Sequence, residues 1–150
     1  MIPGNGSGSG DNGSNNNGNN PDDNDDNNDD TPVSNNLKIT IGPVSFNATL
    51  ENNETAKAFK RLLPMTVDMS ELHGNEKYYY LSNGLPTASS NPGTIRTGDL
   101  MLYGSTCVVL FYETFSTSYT YTRLGRITNP SGLASALGSG GVNVTFEITD

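Results

Sequence analysis

The sequence predicts a mainly β protein: a small, closed eight-stranded β-barrel with two short helices, preceded by a disordered tail. Three observations carry that reading. Eight short runs of aliphatic, β-branched and aromatic residues are punctuated by Gly, Pro and Asn. They follow one another without the strand, helix, strand rhythm of a parallel sheet. Composition also changes abruptly at residue 36 of 150.

The first 36 residues hold seven Asp, no Lys or Arg, and almost nothing apolar beyond Met1, Ile2 and Val33. They cannot bury enough surface to offset the backbone entropy of folding, so 1–36 is expected to be a disordered, acidic Asn/Asp/Gly/Ser-rich linker. The run from Asp22 to Asp30 invites comparison with a calcium loop, which needs Gly at its sixth position and Glu at its twelfth. Counting from Asp22, those positions are Asn27 and Val33, and the match fails. A hydrophilic spacer is the better reading, and it suits an exported domain held at the cell envelope or outside the cell. In that reading the linker belongs to a longer precursor, because Met1-Ile2-Pro3-Gly4 has neither the basic nor the apolar region of an export signal.

From Leu37 onward eight basic residues face nine acidic ones, so the net charge of −8 falls to −1 for the folding part, 37–150. A nearly neutral domain without a Lys/Arg cluster is a poor nucleic-acid binder. No apolar window reaches the 18 residues of a spanning helix. Leu37–Ile41 and Val44–Leu50 alternate around Gly42-Pro43, as a hairpin does. Asn52, Asn53 and Glu54 then cap a helix whose Thr55, Phe59, Leu62 and Leu63 face inward and whose Lys57, Lys60 and Arg61 face water, until Pro64 stops it. Met65–Met69 and Lys77–Leu81 read as strands joined through His73-Gly74. Asn83–Thr97 reads as a loop without structure of its own. Leu100–Tyr103 and Cys107–Tyr112 form a second hairpin around Gly104-Ser105-Thr106. Tyr119–Ile127 alternates, with Tyr119, Tyr121 and Arg123 on one face. Leu133–Leu137 makes a turn or two of helix, the glycines of 138–141 are punctuation, and Val142–Ile148 is the eighth strand.

Little of this carries chemistry. Cys107 is the single cysteine, so no internal disulfide forms, and its apolar strand makes it a buried small hydrophobe. His73 is the single histidine and has no co-ligand, which points to no metal and no cofactor. No serine sits in a Gly-x-Ser-x-Gly elbow. Asn47, Asn53 and Asn143 begin sequons that are best read as chance in an Asn- and Thr-rich chain.

The stretches Leu37–Leu63, Gly98–Tyr103 (GDLMLY), Val109–Tyr112 (VLFY), Phe115–Ile127 and Gly132–Glu147, in that order, resemble the bacterial cyclophilin-like domain proteins. The resemblance spans Leu37 to Ile148 and implies a cyclophilin-like eight-stranded barrel capped by helices. It does not imply isomerase activity. The Phe-His-Arg segment of true cyclophilins is absent, and there is no tryptophan. No catalytic residue is therefore carried over.

Two functions remain. The first is a non-catalytic, monomeric module that holds a peptide, a protein segment or a small ligand, with Tyr78, Tyr79, Tyr80, Phe115, Tyr119, Tyr121 and Arg123 lining a groove of rings beside a fixed cation. The second is a peptidyl-prolyl isomerase in which Arg123 donates to a twisted prolyl amide and the aromatics hold the proline. That chemistry needs only electrostatic complementarity to the transition state. The residue inventory favours the module over an enzyme.

Overall fold

The computed structural model describes residues 33–150, so the predicted linker lies outside the described residues except for its last four positions. Among the described residues, the first to bond into the fold is Ser34, whose Oγ donates to the Thr149 carbonyl at 2.6 Å. The Asn35 carbonyl accepts from the Leu50 N–H at 2.8 Å.

In chain order the elements are β1 (Asn36–Ile41), β2 (Val44–Leu50), α1 (Glu54–Lys60), β3 (Met65–Leu72), β4 (Glu76–Tyr80), β5 (Thr94–Ile95), β6 (Asp99–Tyr103), β7 (Cys107–Phe111), β8 (Phe115–Ser116), β9 (Thr122–Ile127), α2 (Leu133–Leu137) and β10 (Val142–Thr149). Eight strands close in the order β9-β2-β1-β10-β3-β4-β7-β6, and β6 pairs back to β9. Every pairing is antiparallel, and closure leaves the barrel no free edge. This is the predicted eight-stranded barrel with two short helices.

Alternation fills the interior. Leu37, Ile39 and Ile41 of β1 lie beside Phe46, Ala48 and Leu50 of β2, and β10 adds Val144 and Phe146. Helix α1 is fixed at its start by Asn53, whose Oδ1 accepts the Ala56 N–H at 2.7 Å, as the sequence predicts. It delivers Ala56 and Phe59 to this core, Phe59 meeting Phe146 edge-on at 5.7 Å, while α2 delivers Leu133 and Leu137. Among the described residues no helix is long and apolar enough to cross a membrane.

Four expectations need correction. Lys60 is buried rather than on the wet side of α1, its Nζ donating to Asn35 Oδ1 at 2.7 Å, while Leu62 is exposed. The residues just before β1 run past this helix and supply the acceptor. Asn83–Thr97 is not featureless, because Thr94–Ile95 pairs with Phe115–Ser116 and Ser90 bridges Tyr121. The ninth strand starts at Thr122 instead of Tyr119, since Tyr121 spends its backbone groups on Ser90 and buries its ring outside the barrel. The glycines after α2 do more than punctuate, because the carbonyls of Gly138 and Gly140 accept hydrogen bonds from a buried lysine, Lys77.

Lys77, a partner of Leu110 on the inward side of β4, is 0% exposed. Its Nζ donates to Glu71 Oε1 at 2.8 Å and to the carbonyls of Gly138 and Gly140 at 2.8 and 2.6 Å, so all three ammonium protons are used. The Tyr112 hydroxyl donates to the same Glu71 oxygen at 2.7 Å, and the Lys77 ammonium stands 5.5 Å from the Tyr112 ring centroid. One buried cation thus ties β3, β4, the residue after β7 and the segment after α2 together. Burial raises the Glu71 pKa, but hydrogen bonds from Lys77, Tyr112 and the Gly74 N–H, with the Lys77 charge, outweigh it and hold the carboxyl below its ordinary value. Burial first, then the Glu71 acceptor and charge, push the Tyr112 phenol up to about 12.

Gly125 is the tightest backbone approach in the barrel. A Cβ there would lie 2.6 Å from the Thr49 carbonyl oxygen of β2, and β9 shifts register against β6 between Arg123 and Gly125. That bulge sets Arg123 opposite Met101 and Arg126 opposite Asp99, so two residues three apart both face outward.

Glu71→Ala is expected to cost more than Lys77→Met. The first strands a fully buried ammonium, a loss of about 3–5 kcal/mol. The second leaves a partly exposed carboxylate and the carbonyls of two exposed glycines, all within reach of water. Urea unfolding at neutral pH measures both, and a larger loss for Lys77→Met would refute the assignment. In alkaline titration followed by tyrosine absorbance, a component near pH 12 should vanish in Tyr112→Phe. Because the folded pKa lies above the unfolded one, the stability linked to Tyr112 is present below pH about 10 and is lost as pH rises towards 12.

Candidate functional site

β6 and β7 are apolar on both faces. Leu100, Leu102, Val108 and Leu110 point into the barrel, whereas Met101, Cys107, Val109 and Phe111 point out and are buried there. The outward cover comes from Ile95 of β5 and Phe115 of β8, with Tyr121 and Tyr78. Phe111 is the hub, its ring 5.8 Å from Phe115 and 5.5 Å from Tyr121.

Strand register and Tyr121's ring contact with Tyr103 turn this outer face into three rows across β9, β6, β7 and β4. One row reads Arg126, Asp99, Phe111, Glu76. The next reads Arg123, Met101, Val109, Tyr78. The last reads Tyr121, Tyr103, Cys107, Tyr80, and its tyrosines Tyr103 and Tyr80 reach solvent. Tyr80 is 64% exposed, Tyr103 48% and the adjoining Tyr119 63%, so three of the seven exposed large hydrophobic residues described lie here. The rings support one another, Tyr103 lying 6.1 Å from Tyr119 and 5.6 Å from Tyr121, and Tyr78 lying 5.7 Å from Tyr80. Between Tyr80 and Tyr103, Cys107 forms a low, buried floor.

The residues singled out from the sequence divide accordingly. Tyr80 and Tyr119 stand on the exposed row with Tyr78 beside them. Tyr121 is 5% exposed and belongs to the outer core, as does the half-buried Phe115. Tyr79 turns the other way and packs against the barrel interior. Arg123 is half-buried one row from the exposed tyrosines, and its backbone carbonyl accepts from Asn53 Nδ2 at 2.9 Å. Tyr103 and Cys107 complete the row and were not among the candidates. Both faces of the run 100–103 are apolar, so its periodicity does not mark Tyr103 as outward-facing.

This face is equipped to bind rather than to attack. Burial pushes the Cys107 thiol up, the Glu76 charge adds to that, and a hydrogen bond with Tyr80 opposes it only in part. The neighbouring Cys107 charge in turn raises the Tyr80 phenol. Burial and then Glu76 raise Tyr121, and burial raises Glu76 itself. The Tyr80 and Tyr121 phenols and the Cys107 thiol therefore stay protonated at neutral pH. Among the described residues no three His, Cys, Asp or Glu side chains gather as a metal site requires. Elsewhere, a shallow polar hollow of about 270 Å³ lies among Asn36, Asn47, Thr49, Thr128, Thr149 and Asp150.

Comparison with known proteins relates the chain to a sequence family and to a solved fold. The sequence profile of the cyclophilin-like family matches residues 39–147. The solution structure of a hypothetical protein from Archaeoglobus fulgidus superposes with a TM-score of 0.58 at 21% identity, over 78% of this chain and 96% of that one, which shows a shared fold. No curated protein matches the sequence.

Cys107 is expected to label more slowly than an unhindered cysteine with a disulfide reagent at pH 8, because thiolate is the reactive form. Tyr80→Gly should speed the labelling by uncovering the floor. Equal rates in the two proteins would mean that Tyr80 does not cover it.

Proposed function

The chain belongs to the cyclophilin-like family, and we propose that it is a non-catalytic binding module that takes a peptide or a small ligand on the row of Tyr80, Tyr103 and Tyr119. One observation carries this reading: three tyrosines stand exposed on one face, Tyr103 packed against Tyr119 and Tyr80 on the far side of Cys107, above strands β6 and β7 that are otherwise buried on both sides. Aromatic rings with few rotatable bonds supply contact area at low entropic cost, and a rigid closed barrel keeps them in place. The acidic first 36 residues suit a spacer that holds such a module away from a surface, which fits an exported or envelope-tethered protein.

The isomerase alternative draws no support from the geometry. Phe115 and Tyr121 place their rings against Phe111, so they do not stand open beside Arg123 to receive a proline.

The test is a heteronuclear NMR titration of the full chain with a library of short aromatic- and proline-containing peptides. Shifts are expected at Tyr80, Tyr103, Cys107 and Tyr119, and Tyr80→Ala with Tyr103→Ala should weaken binding by about tenfold or more. Shifts confined to the polar hollow, or none, would overturn the reading.

A further inference from the structure

We infer that Arg123 is a carboxylate-recognition residue, and that the occupant of the tyrosine row is an acidic peptide segment bound in extended form; this rests on the binding function proposed above. The bulge at Gly125 turns both Arg123 and Arg126 outward, but only one of them is neutralised within the domain. Arg126 Nε lies 3.5 Å from Asp99 Oδ1, and Asp99 is buried, its other oxygen accepting the Arg96 N–H at 2.9 Å. Arg123 has no carboxylate partner among the described residues. It is half-buried beside Met101 and two residues from the buried Tyr121, and no ion pair within the described residues balances its charge.

The backbone holding that guanidinium is fixed. Asn53 donates to the Arg123 carbonyl at 2.9 Å while its Oδ1 caps α1, so the position is set by a side chain that is itself locked. A carboxylate arriving there meets a planar fork of donors, the geometry that favours paired, charge-assisted hydrogen bonds. Charge across the face also gives a direction, because the far corner from Arg123 carries Glu76, which repels a second carboxylate.

Spacing specifies the ligand further. Along β6, Tyr103 is two residues from Met101, the partner of Arg123, a step of about 6.6 Å. In an extended peptide, side chains at i and i+2 share one face at that same step. An acidic residue two positions from an aromatic or apolar one therefore reaches Arg123 and the tyrosine row together.

The experiment uses the full chain and three probes: acetyl-Gly-Asp-Thr-Phe-Gly-amide, its Asn counterpart, and a version with Asp and Phe adjacent. Calorimetry at low salt should show the first binding about tenfold more tightly than either of the others. Arg123→Gln should erase that preference, Arg123→Lys should retain part of it, and Tyr103→Ala should weaken the Asp and Asn peptides alike. An amide spectrum like the parent's verifies that each variant is folded. Equal binding of the Asp and Asn peptides overturns the carboxylate assignment while leaving a binding face; no binding of any probe overturns both.

Discussion

Burial of the β6–β7 hairpin on both faces is the constraint from which the rest of this domain follows. An antiparallel sheet ordinarily keeps one face wet. Here Leu100, Leu102, Val108 and Leu110 are needed inside the barrel while Met101, Val109 and Phe111 are equally apolar outside, so something must cover them. The chain answers with the short β5 and β8 pair and with Tyr121, which close a second core against the barrel wall. That cover ends at the row of Tyr80, Cys107 and Tyr103. The exposed tyrosines are thus the rim of a hydrophobic cluster whose interior is already filled.

Much of the barrel was legible because its period is simple. Strands such as β1 and β2 alternate strictly, their turn carries Gly42 with a positive φ, and Asn53 announces the helix. The candidate site was legible only in part. Tyr119, Tyr121 and Arg123 alternate as a single strand would, yet the pattern runs across the start of β9, and period alone does not reveal that Tyr121 pairs with Ser90 far back in the loop. Tyr79 lies in a run of three tyrosines, but successive strand residues point to opposite faces, so it turns to the core while Tyr78 and Tyr80 face outward. Tyr103 hid at the end of a continuous apolar run, where alternation is masked by burial on both sides.

The buried Lys77 was equally invisible, for a different reason. A lysine at the start of a strand ordinarily reads as solvated, and its three acceptors come from Glu71, Gly138 and Gly140, as many as 63 residues away in the chain. Only the closed topology brings them together. A satisfied ammonium of this kind adds little net stability compared with an apolar replacement of the same shape, but it accepts few alternative packings. In this barrel it fixes where the segment after α2 crosses β4.

Asn36 and Thr149 are register partners on β1 and β10, and Ser34 bonds the Thr149 carbonyl. Entry to and exit from the folded unit therefore lie side by side, one strand spacing apart, away from the strands that carry the tyrosines. A domain with that arrangement can be spliced into a surface loop of an unrelated host, or joined end to end and reopened at another turn, without moving its aromatic rim. It is a ready cassette for building a reporter whose signal depends on what the rim captures.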